Sequence, residues 1–351
     1  MTIVGDISFP RRYYACDHCH STGVPMDDWA GIGSRAVSDH ARRVIVLAGS
    51  TWSFEEAAAK LLELCQLRTS NDTVRAVCNE EGQAAEQWLR KHPQSAAPLQ
   101  AAVGEWEFSS DGTSVNTTDG WREIRLSVLS KRESAEPATP QQWHERVLPR
   151  SAGRLAWCQI ADCERVGARW ERMFEHVGVG LYEKLSVLAD GARWIWEQAG
   201  KRLPQSDIQW VVDVYHVSEH LHDCAKELFP DAKQAESWAD KRLLRLIELG
   251  GPRFLEELEG QVPRPLHPGG EKALRKLRGY LQENADRMWY RQRLAEGRAI
   301  GSGLIEGGCK NILGKRLKLN SARWRIQRAE RMGTLRCLQY SGLWGAYWES
   351  N

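Results

Sequence analysis

The spacing of hydrophobic and polar positions changes period along this 351-residue chain, and the change divides it. Over about residues 34 to 90 the period is helical. Val37, Ala41, Val44 and Ala48 make one stripe, over about residues 34 to 48. Phe54, Ala58, Leu61 and Cys65 make a second within SFEEAAAKLLELC, where Ser53 and Glu56 form a capping box. After the turn LRTS, Ser70 or Asn71 can cap a third helix containing Val74, Val77 and Cys78. Short helices joined by tight turns fit a helix-turn-helix, whose later helix would enter a DNA major groove, and equally an ordinary helical bundle. Residues 91 to 98 are polar and proline-containing and read as a linker.

Beyond the linker the pattern turns to strands. WEFSSDGTSVNT, WREIRLSVLSKRE and GRLAWCQIA are spaced as a three-stranded antiparallel meander. A helix over about residues 163 to 177 follows, then the strand KLSVLAD, a helix from Ala192 and the strand IQWVVDVYH. Strand runs that give way to alternating strand and helix predict an α/β fold, a mixed sheet with covering helices. Between His216 and Arg298 lie about 80 residues of helical pattern, too many for a connection within a compact sheet. They read as an inserted helical subdomain, which could also serve dimerisation.

Composition narrows the class. With 42% hydrophobic and 27% charged residues the chain reads as a soluble globular protein. No 18-residue apolar run suggests a membrane span, and MTIVGDISFPRRYY lacks a signal-peptide core, so the expected location is the cytoplasm. Nine cysteines, an odd number and scattered, fit reduced thiols. In CDHCH, Cys16 and Cys19 are spaced as one knuckle of a zinc ribbon, with His18 and His20 beside them. A tetrahedral Zn²⁺ site needs four ligands and the chain has no second Cys-x-x-Cys pair, so residues 1 to 30 are a partial zinc-ribbon-like segment.

Net charge is only +2, but its distribution is uneven. Lys310, Lys315, Arg316, Lys318, Arg323, Arg325, Arg328 and Arg331 face one acid, Glu330, in 22 residues. Such a run is a solvated helix face or a phosphate-contacting surface. Three acids, Asp111, Asp190 and Asp213, sit in or at the ends of strands, and Glu306 stands alone in the glycine-rich GSGLIEGGCKN. Each strand-end acid alone reads as a turn residue. Carboxylates converging from strand ends and one helix are also what Mg²⁺ or Mn²⁺ requires, and two such ions about 4 Å apart serve phosphodiester chemistry.

The stretches DGTSV, LADGARWIW, VVDVYHVSEHL, GSGLIEGGCKN, RLKLNSARW and SGLWGAYW resemble the ISKra-type transposases of bacterial insertion sequences, relatives of the Mutator-like DDE transposases. The resemblance covers roughly residues 13 to 351 and is most specific over 188 to 348. It implies an RNase H-like catalytic core interrupted by an all-helical insertion, and DNA cleavage with 3′-OH strand transfer at terminal inverted repeats. Residue by residue, Asp111 matches the first catalytic Asp, Asp190 the second and Glu306 the final Glu, while Asp213 and His216 match a D-x-x-H signature. Asp111 is preferred to Asp119 because it interrupts an apolar strand, whereas Asp119 sits in the turn TTDGW. In this reading Asp111, Asp190 and Glu306 hold the two ions; His216 orients the scissile strand or a neighbouring acid, and Asp213 supports. Lys310, Lys315, Arg316, Lys318, Arg323, Trp324 and Arg325 contact DNA, with the protein acting as a homodimer on inverted repeats and target DNA.

The implied parts are the partial ribbon at 1 to 30, the helix-turn-helix at 31 to 92, and the core at 100 to 216 and 299 to 351 around an insertion at 217 to 298. The chain departs from the family pattern at its unmatched Cys pair, which leaves a second reading, a catalytically silent relative that only binds DNA.

Overall fold

The computed structural model describes residues 1–3, 8, 10–29, 37–203, 207–258, 260, 262 and 267–350. A small hairpin of β1 (Tyr14–Ala15) and β2 (Thr22–Gly23) carries CDHCH in its turn, followed by α1 (Pro25–Trp29). Three helices come next, α2 (Asp39–Gly49), α3 (Phe54–Cys65) and α4 (Asn71–Lys91). Each begins on a serine whose hydroxyl accepts a first-turn N–H: Ser38 from Ala41, Ser53 from Glu56 and Ser70 from Thr73. The first helix therefore starts at Asp39, later than its apolar stripe suggested; residues 34–36 lie outside the described set. In α3 the buried positions are Ala57 and Leu61 while Cys65 is exposed, so the stripe expected through Cys65 is rotated toward the α2 and α4 contacts.

The expected linker is a correction. Residues 91 to 98 run from the end of α4 into α5 (Pro93–Ala101), with Ser95, Ala96 and Leu99 buried. Pro93 suits this place because a first-turn residue has no intrahelical use for an N–H.

The meander forms as expected from β3 (Glu105–Thr117), β4 (Gly120–Arg132) and β5 (Gly153–Gln159). Then come α6 (Cys163–Val177), β6 (Leu185–Ala189), α7 (Arg193–Arg202) and β7 (Ile208–Val212). The five-stranded mixed sheet has the order β5-β4-β3-β6-β7, with β6 parallel to β3 and β7 parallel to β6. After β7 the helices α8 (Val214–Leu228), α9 (Ala232–Leu249), α10 (Gly251–Leu258), α11 (Pro268–Asn284) and α12 (Tyr290–Ala295) make up the helical segment. The chain returns through α13 (Gly303–Gly308), a π-helical turn (Cys309–Gly314), α14 (Lys315–Leu317), α15 (Ile326–Tyr340) and α16 (Trp344–Glu349).

The two faces of the sheet differ in their cover. Phe108 on β3 packs with Trp170 and Phe174 of α6, ring centroids 5.0 and 5.3 Å apart, and the Trp170 indole N–H donates to Ser127 Oγ at 2.8 Å. On the opposite face α13 crosses β3 and β4, and α15 packs on β5. The approach of α13 is close: a Cβ on Gly308 would lie 2.9 Å from Leu126. The α2–α4 bundle is fastened to the C-terminal helices, since α4 packs along α15 and a buried Arg42–Glu81 ion pair of 2.6 Å also receives the Tyr347 hydroxyl. No helix among the described residues is long and apolar enough to cross a membrane.

Candidate active site on the central strands

β3 and β6 bring two carboxylates together. Their parallel register runs to Ser109 opposite Leu188; two residues further along each chain stand Asp111 and Asp190. Adjacent strands are about 4.8 Å apart and residues in register point the same way, so these two side chains face the same side. On β4, Leu126 is the cross-strand partner of Asp111 and also the residue that meets Gly308, which places the pair on the α13 side of the sheet.

Each acid is held by short local bonds. Asp111 accepts the Gly112 N–H at 2.6 Å, and the Cys309 thiol lies close enough to act on its charge. Asp190 accepts the Ala192 N–H at 2.9 Å, and its backbone carbonyl receives the Tyr280 hydroxyl at 3.0 Å. Gly191 turns the chain there with φ 97°, and a Cβ on it would press on the Tyr280 ring at 3.0 Å, so both backbone and space call for glycine. Burial pushes the Asp111 carboxyl above its ordinary range, and the nearby Asp190 charge adds to the shift, against the opposing pull of Gly112, Cys309 and His216. Burial likewise raises the Cys309 thiol, with Asp111 contributing, and raises the Tyr280 hydroxyl, with Asp190 and Asp213 contributing. Among the described residues neither Asp111 nor Asp190 is ion-paired with Lys or Arg.

Asp213 is handled differently. IQWVVDVYH was expected to be one strand, but β7 ends at Val212 and Asp213 caps α8. Its carboxylate accepts the Tyr215 N–H at 2.7 Å, the Ser302 N–H at 2.8 Å and the Ser302 hydroxyl, and the residue is 1% exposed. It therefore fastens the start of α8 to the turn before α13. His216 lies in the first turn of α8, not in a strand, with Nδ1 3.3 Å from Glu219 and close enough to Asp111 to act on its charge. The core-to-insertion boundary expected after residue 216 thus falls inside a helix.

Glu306 sits on α13 with its side chain 51% exposed, and Lys310 closes on it at 2.6 Å. It stands one helical turn before Cys309, the residue whose thiol acts on Asp111, so its Cβ neighbours that of Cys309. Among the described residues no three His, Cys, Asp or Glu side chains are gathered closely enough to hold a metal ion. The strands bring together Asp111 and Asp190; Glu306 is adjacent along the helix but turned to Lys310.

The basic tail requires corrections. Trp324 and Arg316, expected to reach DNA, are 6% and 3% exposed. The Trp324 indole N–H donates to the Leu317 carbonyl at 3.1 Å, and the Arg316 guanidinium lies between the Phe54 and Trp324 rings with Nε on the Gly49 carbonyl at 2.8 Å. Both are packing residues joining the tail to α3. Lys318 bonds Thr113, Arg323 bonds the Thr117 and Thr118 carbonyls, and Lys310 is paired with Glu306; Lys315 and Arg325 are exposed. At the N-terminus Cys16 and Cys19 are exposed in the hairpin turn, and a hydrogen bond with Ser21 lowers the Cys19 thiol to about 7.

Sequence reasoning passed over Cys309, Tyr280 and Ser302. The signal for Cys309 was its spacing of three from Glu306; Tyr280 and Ser302 carry none, because their partners are remote in the chain. No protein-family model matches the chain, and no curated protein shows significant similarity to it.

Proposed function

We propose that the protein is a DDE-type DNA transposase of an insertion sequence, cleaving DNA at inverted repeats and joining the freed 3′-OH to target DNA. The observation that carries this is that Asp111 and Asp190, each two residues beyond the last β3–β6 pair of Ser109 and Leu188, come close enough to act on each other's charge, with no Lys or Arg paired to either among the described residues. Two facing carboxylates offer hard oxygen ligands, so the donor set fits Mg²⁺ or Mn²⁺, with Glu306 as the third ligand once it leaves Lys310. Two such cations would supply activation of the attacking oxygen and stabilisation of the leaving one. The chain's own residues do the rest. Gly112 fixes the Asp111 carboxylate with Cys309 close to it, Tyr280 and Gly191 fix the turn after Asp190, and Asp213 fastens the start of α8, which carries His216, to the turn before α13, which carries Glu306.

The strand order, three antiparallel strands followed by two parallel ones on the first strand's other side, supports the RNase H-like reading of the sheet, with α8 to α12 as the insertion. Read as a helix-turn-helix, α2 to α4 would present the outward face of α4, where acids Asp72 and Glu80 accompany Arg75, so the ordinary bundle is the better-supported description. The cytoplasm, a homodimer on DNA and a Zn²⁺-bound Cys16–Cys19 knuckle remain parts of the same proposal, the last requiring ligands from elsewhere. One observation favours the second reading, a DNA-binding relative that does not cut: Glu306 is closed onto Lys310.

The test is Mg²⁺-dependent cleavage and joining of DNA carrying the inverted repeats that flank the coding sequence. Wild type should cut and join, and Asp190→Ala and Glu306→Ala should each lose on the order of 10³-fold in rate, several kcal/mol of charge stabilisation. Cutting without joining would indicate a nuclease on the same sheet. Equal behaviour of wild type and Glu306→Ala would remove Glu306 from the chemistry.

A further inference from the structure

At the far end of β3, the N-terminal bundle and the basic tail enclose a cleft of about 390 Å³. Arg75 of α4, Arg323, Arg325 and Arg328 line it together with Phe54 and Trp324. The arginines are poorly neutralised. Arg75 pairs with the exposed Asp72 at 2.6 Å, and Arg323 is spent on two backbone carbonyls. Arg325 and Arg328 make no side-chain hydrogen bond or ion pair with any described residue, and Arg328 is further repelled by Arg325, Arg75 and Arg331. The nearest acid in sequence, Glu330, is turned away to accept the Ile160 N–H at 2.9 Å.

A fifth guanidinium lies among the lining residues. Arg316 is buried with Nε on Gly49, and among the described residues one terminal nitrogen has no acceptor and no carboxylate pairs with it. The Phe54 and Trp324 rings, 4.7 and 4.9 Å away, offset part of the cost through cation–π contact but supply no counter-charge. A positive charge in low-dielectric surroundings beneath a ring of arginines makes a field that an anion at the mouth would relieve. Guanidinium forks match phosphate oxygens in pairs, which favours phosphate among anions.

The cleft is also placed for a long ligand. From Asp111 to Thr117 at its edge, β3 runs six residues, about 20 Å, the length of about six base pairs of duplex. We infer that this cleft grips backbone phosphates of the DNA substrate about six base pairs from the strand position addressed by Asp111 and Asp190. The inference deepens the transposase reading and rests on it; Arg75, outside the basic run read from the sequence, becomes a contact residue alongside Arg325 and Arg328.

The experiment is binding of a labelled duplex by wild type and by the double variant Arg325→Gln/Arg328→Gln, followed by anisotropy from about 50 to about 200 mM salt. Loss of two phosphate contacts should make the slope of log K against log salt shallower by about 1.8 and lower affinity at least tenfold at the low-salt end, with the melting temperature held. A neutral methylphosphonate placed about six base pairs from the cut should weaken wild type but not the variant. An unchanged slope in a variant that still folds overturns the cleft and leaves the transposase reading standing. Calorimetry with inorganic phosphate is the other arm: if wild type binds it and the variant loses only that, the cleft is a small-anion site and the inference fails. If wild type binds no duplex at all, the DNA reading falls with it, and the cleavage assay registers that failure separately.

Discussion

Asp213, just past β7, and the pair formed by Asp111 within β3 and Asp190 just past β6 lie on one sheet, and their charges are met in opposite ways. Asp213 is buried and receives three hydrogen bonds from Tyr215 and Ser302, all from groups that would otherwise be orphaned. Asp111 is partly buried, receives one from the Gly112 N–H, and stands near another carboxylate with no Lys or Arg paired to it among the described residues. The same residue type is thus a structural clamp at one strand end and a charge awaiting a partner at the other. A carboxylate fully satisfied by the fold has no capacity left for chemistry; one left under tension has.

The largest expected effect lies on the satisfied side. Asp213→Ala removes the cap of α8 and strands the Ser302 N–H, the Ser302 hydroxyl and the Tyr215 N–H. The cost should be about 3 kcal/mol or more, and the melting temperature should fall on the order of 10 °C. Denaturant titration would show it, and Asp213→Asn should recover part of the loss by keeping one acceptor. A melt unchanged by the Ala variant would erase the contrast.

The opposite sign is expected at Asp111. Because the folded carboxyl titrates above the ordinary 3.8, the folded state holds its proton more tightly than the unfolded chain. Its contribution to stability is full below that ordinary value, is lost as pH rises through the raised value, and stays lost above it. Asp111→Asn escapes this loss while keeping an oxygen for Gly112. The variant should melt higher than wild type at neutral pH, by a margin that shrinks as pH falls through the raised value and is gone below the ordinary 3.8, yet lose metal-dependent cleavage on the order of 10³-fold. A variant less stable at neutral pH would mean that Asp111 is held in the fold as Asp213 is.

What could be read from the sequence followed the range of the interaction. The capping serines Ser53 and Ser70, the meander and the α6 helix are set by neighbours within a few residues, so period and cap chemistry disclosed them. Asp213 was misread because VVDVYH is apolar on both sides of the acid, and a short apolar run fits a strand and a helix start alike. The approach of Asp111 to Asp190 needed only the expectation that both acids belong to one sheet. The approach of Cys309 to Asp111 and the burial of Arg316 depend on residues about 200 and about 260 positions away, contacts that no local pattern encodes. The 310 to 331 run looked solvated because a run of charges carries no mark of which member an aromatic pair will enclose.

The smallest expected effect decides how Glu306 stands between these two kinds of acid. Its bond to Lys310 is short but exposed, the two side chains being 51% and 73% accessible, and an i,i+4 pair of that kind contributes only about 0.3–0.5 kcal/mol. Lys310→Gln should therefore leave the melting temperature nearly unchanged. If Glu306 belongs with Asp111 and Asp190, removing its competitor should tighten Mn²⁺ binding about twofold, the equivalent of that same energy. Losing a nearby positive charge would attract any cation somewhat, so the comparison must be repeated with Glu306→Gln. A gain that disappears in the Glu306→Gln background places this carboxylate with the unsatisfied pair. A gain that persists there makes it a general charge effect, and leaves Glu306 a surface partner of Lys310, as fully accounted for by its neighbour as Asp213 is by Ser302.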